Sequence, residues 1–436
     1  MISDAAYSLG THAAESEQPV EHAYEPLPSG SRARPIPRVN LQAFCEDQET
    51  AAVIEKASQD RRLAKVHLSV QMGGAHAATA FYESAPTPNL IIIESLLDRS
   101  SMLDDLDRLA KVCDNATKVV VIGHVNDVLL YRELLRLGVS EYVVAPVKVM
   151  QIIESISSIY SHPEAGPVGQ VIAFLGAKGG SGSSTVCHNT AFAMATALKS
   201  DVVIADFDLP FGTAGLDFNM DPPQGLADAL ASPGRFDEML LDRLLSRCSD
   251  HLSLFAAPGT LDRPYDIDAT SCETVIDVVR ENVPWMAVDV PHLWTGWAKQ
   301  VVFGADHVVI TATPDLANLR NAKNLVDKLK SARPNDRPPV LVLNQVGVPK
   351  RPEIPAKEFG HALELEPRVI IDFDPKLFGT AANNGQMIEE VSDGSKAADA
   401  FRGLANTLTD RSEETQQHKS FLAPILARLR LSKTRG

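Results

Sequence analysis

The chain has 436 residues, 44 % of them hydrophobic, which is too long for one ordinary domain and enough to bury two cores. A formal net charge of -15 argues against a protein that coats nucleic acid non-specifically, because such binding needs a Lys/Arg surface to displace counterions. Five widely spaced cysteines (Cys45, Cys113, Cys187, Cys248 and Cys272) form neither a CxxC pair nor a Cys/His group with zinc spacing, and read as free thiols in a reducing compartment.

Residues 1–37 are rich in Ala, Ser, Glu and Pro and carry no periodicity, so they read as a disordered tail; a basic stretch, Arg32 to Arg38, reads as linker. The first residues are acidic and small rather than basic then apolar, which predicts no secretory signal. Over 38–160 the pattern changes. Short apolar runs at Val39–Phe44, Val66–Val70, Leu90–Ile93, Val119–Ile122 and Tyr142–Val144 alternate with helical stretches such as Thr50–Asp60, Leu103–Cys113 and Asp127–Leu137. Continuous apolar strands separated by helices predict a parallel sheet covered on both faces, of flavodoxin-like size. Residues 161–168, with two prolines and a glycine, read as a linker.

A second series occupies 169–411. Its predicted strands are Val171–Leu175, Val202–Ala205, Leu252–Ala256, Trp285–Val288, Val308–Thr311 and Val340–Leu343. The fold class is therefore α/β, two tandem doubly wound parallel-sheet domains. A last segment, 412–436, places Phe421, Leu422, Ile425, Leu426 and Leu429 on one helical arc among Lys419, Arg428, Arg430, Lys433 and Arg435. Such a basic amphipathic helix suits the surface of an anionic membrane, a docking partner, or the domain itself; Leu431 falls off the arc. No apolar run reaches bilayer-spanning length, so the expected location is cytoplasmic, with peripheral contact at the inner membrane or a cell pole through this tail.

The strongest chemical signal is the loop Gly176-Ala-Lys-Gly-Gly-Ser-Gly-Ser-Ser-Thr185, between the strand Val171–Leu175 and a predicted helix Val186–Leu198. Glycines let successive N–H groups turn inward, and the following helix adds its positive end, which makes an anion cradle suited to nucleotide phosphates. The ordinary loop of this kind reads G-x-x-x-x-G-K-[ST]. Here Ser183 stands where the lysine belongs, Ser184 holds the hydroxyl position that meets Mg²⁺, and Lys178 comes early.

That arrangement resembles the deviant phosphate loop K-G-G-x-G-K-[ST] of the MinD/ParA family. The resemblance implies ATP and Mg²⁺ as cofactors, with Gly179, Gly180, Ser181, Gly182, Ser183, Ser184 and Thr185 around the phosphates. It implies that Lys178 reaches across a nucleotide-favoured homodimer to the partner's phosphates. Val202-Val-Ile-Ala-Asp-Phe-Asp208 resembles the family's second acidic strand end, so Asp206 would face the metal-bound phosphates and Asp208 would position the attacking water. Trp285 to Pro291 resembles its other acidic strand, with Asp289 acting on Mg²⁺ through water. Leu341-Val-Leu-Asn-Gln345 resembles the strand that carries a base-contacting asparagine, here Asn344, and Asp374 with Pro375 would lie near the base. Acids at successive strand ends stand where an open α/β sheet gathers its ligand groups. Singly, each could instead be a helix cap or a loop acid.

The first series resembles a response-regulator receiver that has lost its chemistry. Glu46 and Asp47 follow the first strand, Glu94 stands where the acceptor aspartate belongs, and Ala145-Pro146 replaces the Lys-Pro step, so phosphorylation is not expected. A degenerate receiver followed by a deviant ATPase is similar to the CpaE/TadZ family. That resemblance spans roughly 38–410 and implies a localisation or assembly factor for type IVb (Flp/Tad) pili, partnered by the pilus secretion machinery. With Ser183 for lysine, slow or absent hydrolysis is expected. Two alternatives stay open: a ParA-type partition ATPase, which would bind random duplex DNA in a salt-sensitive way, and an adaptor with a vestigial site, which would bind no ATP at millimolar concentration. No specific nucleic acid is expected.

Overall fold

The computed structural model describes Ile36 and residues 39–114, 116–160, 168–262 and 264–410. The expected N-terminal tail apart from Ile36, most of the linker and the basic C-terminal segment lie outside the described residues.

The first sheet contains β1 (Val39–Cys45), β2 (Val66–Met72), β3 (Leu90–Ser95), β4 (Lys118–Gly123) and β5 (Glu141–Val144), in the order β2-β1-β3-β4-β5 and parallel throughout. The runs read from the sequence are its strands. Central β3 is buried at every position and sends alternate residues to opposite faces: Leu90 and Ile92 join one core, Ile91 and Ile93 the other. The helix expected from Thr50 begins two residues earlier, at Gln48, because the Asp47 side chain accepts the Glu49 N–H. The helix expected over Leu103–Cys113 runs instead from Arg99 to Ala110, capped by Asp98 on the Ser101 N–H.

The second sheet has eight strands: β6 (Gln170–Gly176), β7 (Val202–Asp206), β8 (Ser246–Ser249), β9 (Leu252–Phe255), β10 (Trp285–Val290), β11 (His307–Ala312), β12 (Val340–Val346) and β13 (Pro367–Asp372). Their order is β13-β12-β11-β6-β10-β7-β9-β8. All pairs are parallel except β8 with β9. The sequence reading missed both edges, β8 and β13. β8 reads Ser-Arg-Cys-Ser and offers no apolar run, and β13 buries only Val369 and Ile371. In β6, Val171, Ala173 and Leu175 enter one core while Ile172 and Phe174 enter the other. β6 sits fourth from the β13 edge with β10 and β11 beside it, which puts the loop after it at the middle of the sheet's C-terminal edge.

The two domains meet at the opposite edge, where β6 and β11 begin. Arg61, in a short 3₁₀ turn before β2, donates to Asp336 (2.8 Å), to the Gly304 carbonyl (2.8 Å) and to Asp306 (3.2 Å). Arg62 pairs with Asp60 and Asp336, and Asn335 donates to Asp60 (3.0 Å). Lys65 reaches Glu273 (2.7 Å). Burial alone would raise the Asp336 carboxyl, but Arg61 and Arg333 outweigh it and hold it down at about 2.

Candidate functional site

The loop leaves β6 at Gly176 and enters the helix Ser183–Leu198 through Gly182. Gly180 and Gly182 have φ of 81° and 86°, a region that favours glycine. A Cβ at Gly182 would also stand 2.3 Å from the Asn344 Nδ2. Four side chains draw the loop's carbonyls outward. Asn344 donates to Ser181 O (2.9 Å), Gln345 to Gly180 O (3.1 Å) and Asn321 to Ala177 O (2.9 Å), while His292 Nδ1 lies 2.9 Å from Gly176 O. With these carbonyls tied to surrounding side chains, N–H groups of the loop can line the cradle, although those of Ala177 and Ser181 donate to the Thr311 (2.8 Å) and Lys178 (3.2 Å) carbonyls. Gln345, Asn321 and His292 escaped the sequence reading. Gln345 adjoins the singled-out Asn344, and Asn321 is a polar residue near the start of the helix Leu316–Ala332; neither forms a motif alone.

The hydroxyls of Ser181 and Ser183 are buried without a hydrogen-bond partner among the described residues. Orphaned donors beside a helix N-terminus fit phosphate oxygens. Lys178 is exposed at the lip of the loop, with Gly179 and Gly180. Ser184 and Thr185 follow in the first helical turn, where Thr185 O accepts from Asn189.

The acids come from neighbouring strands. Asp206 ends β7, and Asp289 sits opposite it in β10. Both are buried. Asp206 accepts the N–H groups of Asp208 (3.1 Å) and Ala214 (3.2 Å). Burial first, then the charge of Asp289, push its carboxyl up to about 7, with His188 working the other way. Burial likewise raises Asp208, which is half-buried and accepts from the Phe211 N–H (3.3 Å). A cation would relieve this pair. Among the described residues, no three His, Cys, Asp or Glu side chains are set to hold a metal ion alone.

His188 was not foreseen. Wholly buried on the loop's helix, its Nδ1 lies 2.7 Å from Asp217 and its Nε2 3.6 Å from Asp289. Burial alone would press the imidazole down, but the hydrogen bond to Asp217 and the nearby charges of Asp289 and Asp217 carry it up to about 10. Nothing in the pattern around it distinguishes it from a helix filler.

The expected base-facing residues lie at the same edge of the sheet. Asn344 ends up bracing the loop, its Oδ1 accepting from the Gln345 N–H (2.9 Å). Asp374 caps the helix Pro375–Asn384 by accepting from the Leu377 N–H (2.9 Å), with Pro375 in the first turn, and both are exposed. The Phe373 N–H bonds to Val346 O, which ties this turn to the end of β12.

In the first domain the acids set against the receiver pattern are engaged internally. Buried Glu94 accepts from the N–H groups of Glu46 and Asp47 (2.9 Å each) and from Thr50 Oγ1 (2.7 Å), and lies 3.2 Å from His124 Nε2. Glu46 in turn accepts the Leu96 N–H (2.8 Å). Its side chain also fills the space over Gly74.

Fold and site together describe two α/β domains in tandem, the second with a glycine-rich loop at the middle of the C-terminal edge of its sheet. No family model matches the chain. The chain is 25 % identical over 281 residues to the septum site-determining protein MinD of Bacillus subtilis, a match covering 59 % of this chain and 97 % of that one. It is 46 % identical to the pilus assembly protein CpaE of Caulobacter crescentus, covering 30 % of this chain and 98 % of that structure, with a TM-score of 0.29. A ParA family ATPase of Chlorobium tepidum is 25 % identical, covering 55 % of this chain and 98 % of that structure, with a TM-score of 0.49. The chain is thus similar to a MinD septum site-determining protein over about three fifths of its length and, over a separate comparison, to a CpaE pilus assembly protein over under a third of it.

Proposed function

We propose that the chain is a nucleotide-responsive localisation and assembly factor for a type IVb (Flp/Tad) pilus, which binds ATP with Mg²⁺ and hydrolyses it slowly or not at all. The observation that carries this reading is the loop: intact as a cradle, open at Lys178, and without a lysine at Ser183. Bound ATP and Mg²⁺ supply the phosphate charge and its partial neutralisation. The remaining work falls to side chains of this protein. The N–H groups of Gly179, Gly180 and Gly182 to Ser184 and the hydroxyls of Ser181 and Ser183 bind phosphate oxygens. Ser184 would meet the metal with its hydroxyl, Asp289 would act on it through water, and Asp206 would face the metal-bound phosphates. Asp208 orients water. Base contact by Asn344 asks its amide to divide itself between the loop and the base, with Asp374 and Pro375 closing the same side.

Phosphoryl transfer is catalysed chiefly by positioning and charge, and this chain lacks a central charge. Exposed Lys178 is free to reach the phosphates of a second copy, so nucleotide favours a face-to-face dimer. Dimer state then selects the pilus machinery partner, or the membrane contact made through 412–436. No helix among the described residues is long and apolar enough to cross a membrane. The test is ATP turnover and sedimentation with Lys178→Ala beside the natural chain. Slow turnover, with a nucleotide-dependent dimer that the substitution abolishes, is expected; brisk turnover that survives it overturns the reading.

A further inference from the structure

In the first domain the helix Val128–Arg136 carries apolar side chains on two opposite sides. Leu130 and Leu134 face inward and join a core with Val121 and Tyr142. At the helical period the opposite arc runs through Tyr131, Leu135, Val128, Arg132, Arg136 and Leu129, all exposed. Val128 and Leu129 are 63 % and 64 % exposed, and Leu137, just past the helix, is 64 % exposed. A surface helix ordinarily turns polar residues outward, and an exposed apolar patch marks a place of docking. Arg132 and Arg136 stand within the patch and have no carboxylate partner among the described residues. The nearest acids along the helix are otherwise engaged. Asp127 caps the Leu129 N–H (2.8 Å), and it and Glu133 face Arg99 (3.9 and 2.5 Å). The face is thus apolar with an unbalanced positive charge.

Such a face calls for an occupant that is both apolar and acidic. A second copy seated on it through a twofold axis would set Arg132 and Arg136 against their own copies. The segment 412–436 is basic, with Lys419, Arg428, Arg430, Lys433 and Arg435 against Glu413 and Glu414. Residues 1–31 have the opposite character. They hold Asp4, Glu15, Glu17, Glu21 and Glu25 and no Lys or Arg, with Val20, Tyr24 and Leu27 set among the last of these acids. They are also tethered to the right domain, where the Ile36 N–H donates to Arg62 O (3.1 Å). Val20 to Leu27 lie about 9 to 16 residues before Ile36, which spans up to roughly 30–50 Å of extended chain. The three strand spacings from β1 across β3 and β4 to β5 amount to only about 14 Å. We propose that residues 15–27 of this chain dock on the outer face of Val128–Arg136, with Glu21 and Glu25 on Arg132 and Arg136 and with Val20 and Tyr24 against Val128, Leu129 and Leu135. The tether makes the contact intramolecular, so a modest affinity holds it, and any other partner of this face competes with the tail. Nothing in this depends on the reading of the phosphate loop.

The experiment is photo-cross-linking of the full chain with p-benzoylphenylalanine in place of Tyr24, the products sized by denaturing gel and mapped by mass spectrometry. A product of single-chain size joined to residues 128–137 is expected. Reversing the face with Arg132→Glu and Arg136→Glu should lower its yield by at least about fivefold, and adding Glu21→Arg and Glu25→Arg should restore it. All four side chains lie on the surface or in the tail, and circular dichroism checks that each variant folds. The restored yield of the exchanged chain separates a lost contact from a damaged helix. A product of two chains joined at this face, cross-links that miss it, a yield indifferent to charge reversal, or an exchange that fails to restore it would each overturn the proposal.

Discussion

At the residue scale, what separates this loop from an ordinary phosphate loop is Ser183. Its hydroxyl is buried and unpartnered, a donor for phosphate but no charge for the transition state. Ser183→Lys should therefore raise ATP turnover by at least about tenfold, measured as phosphate release, because it returns a cation to the transferring group. An unchanged rate would mean that some other missing group limits hydrolysis. His188 makes a different prediction. It lies between Asp217 and Asp289, so His188→Ala leaves a buried carboxylate without its counter-charge. A loss of about 3–5 kcal/mol is expected in urea unfolding. The sequence showed the first of these residues and hid the second. Ser183 interrupts a spaced motif, whereas His188 acts through a residue a hundred positions away, a contact that no local pattern encodes.

At the scale of the element, the loop's shape is imposed from outside by Asn344, Gln345, Asn321 and His292, each far along the chain from the loop residue it holds. Two glycine substitutions separate this bracing from simple exposure. Gly182→Ala meets Asn344 Nδ2 at 2.3 Å and a positive φ. It should weaken ATP binding by at least about tenfold. Gly179→Ala meets nothing within 4 Å and should leave binding within about twofold. Equal losses in a titration calorimeter would show that the loop is shaped by flexibility rather than by its braces. The strands were legible because β3, β6 and their neighbours are continuous apolar runs. The edges were not: β8 is polar, β13 is buried at alternate positions only, and both are held by pairing with a neighbour. Glu94 shows the same limit. The sequence showed an acid at the acceptor position, but only packing shows it to be the common acceptor for the turn after β1.

At the scale of the whole molecule, the described domains are joined by a buried ionic cluster around Asp336 rather than by an apolar seam. Its carboxyl lies at about 2 when folded, against about 3.9 for an unfolded aspartate. A depressed value stabilises the folded form above the unfolded value. That contribution is lost as the pH falls from about 4 through 2. The full chain should accordingly lose stability across that window, read as the denaturant midpoint against pH, and Asp336→Asn should flatten part of the slope. A slope unchanged by the substitution would place the acid sensitivity elsewhere. Charged residues far apart in sequence, such as Arg61 and Asp336, gave no hint of meeting. Two tandem sheets could be read from the chain, but not which edges face one another.

The claim on which the account turns is that a loop without its lysine still binds nucleotide and uses it to pair two copies. Titration of the full chain with ATP and Mg²⁺, followed by sedimentation of the same samples, tests it directly. Saturable binding is expected, with a shift from monomer to dimer on adding ATP, and loss of that shift in Lys178→Ala while ATP still binds. Absence of binding at millimolar ATP, or a dimer indifferent to nucleotide, would contradict it.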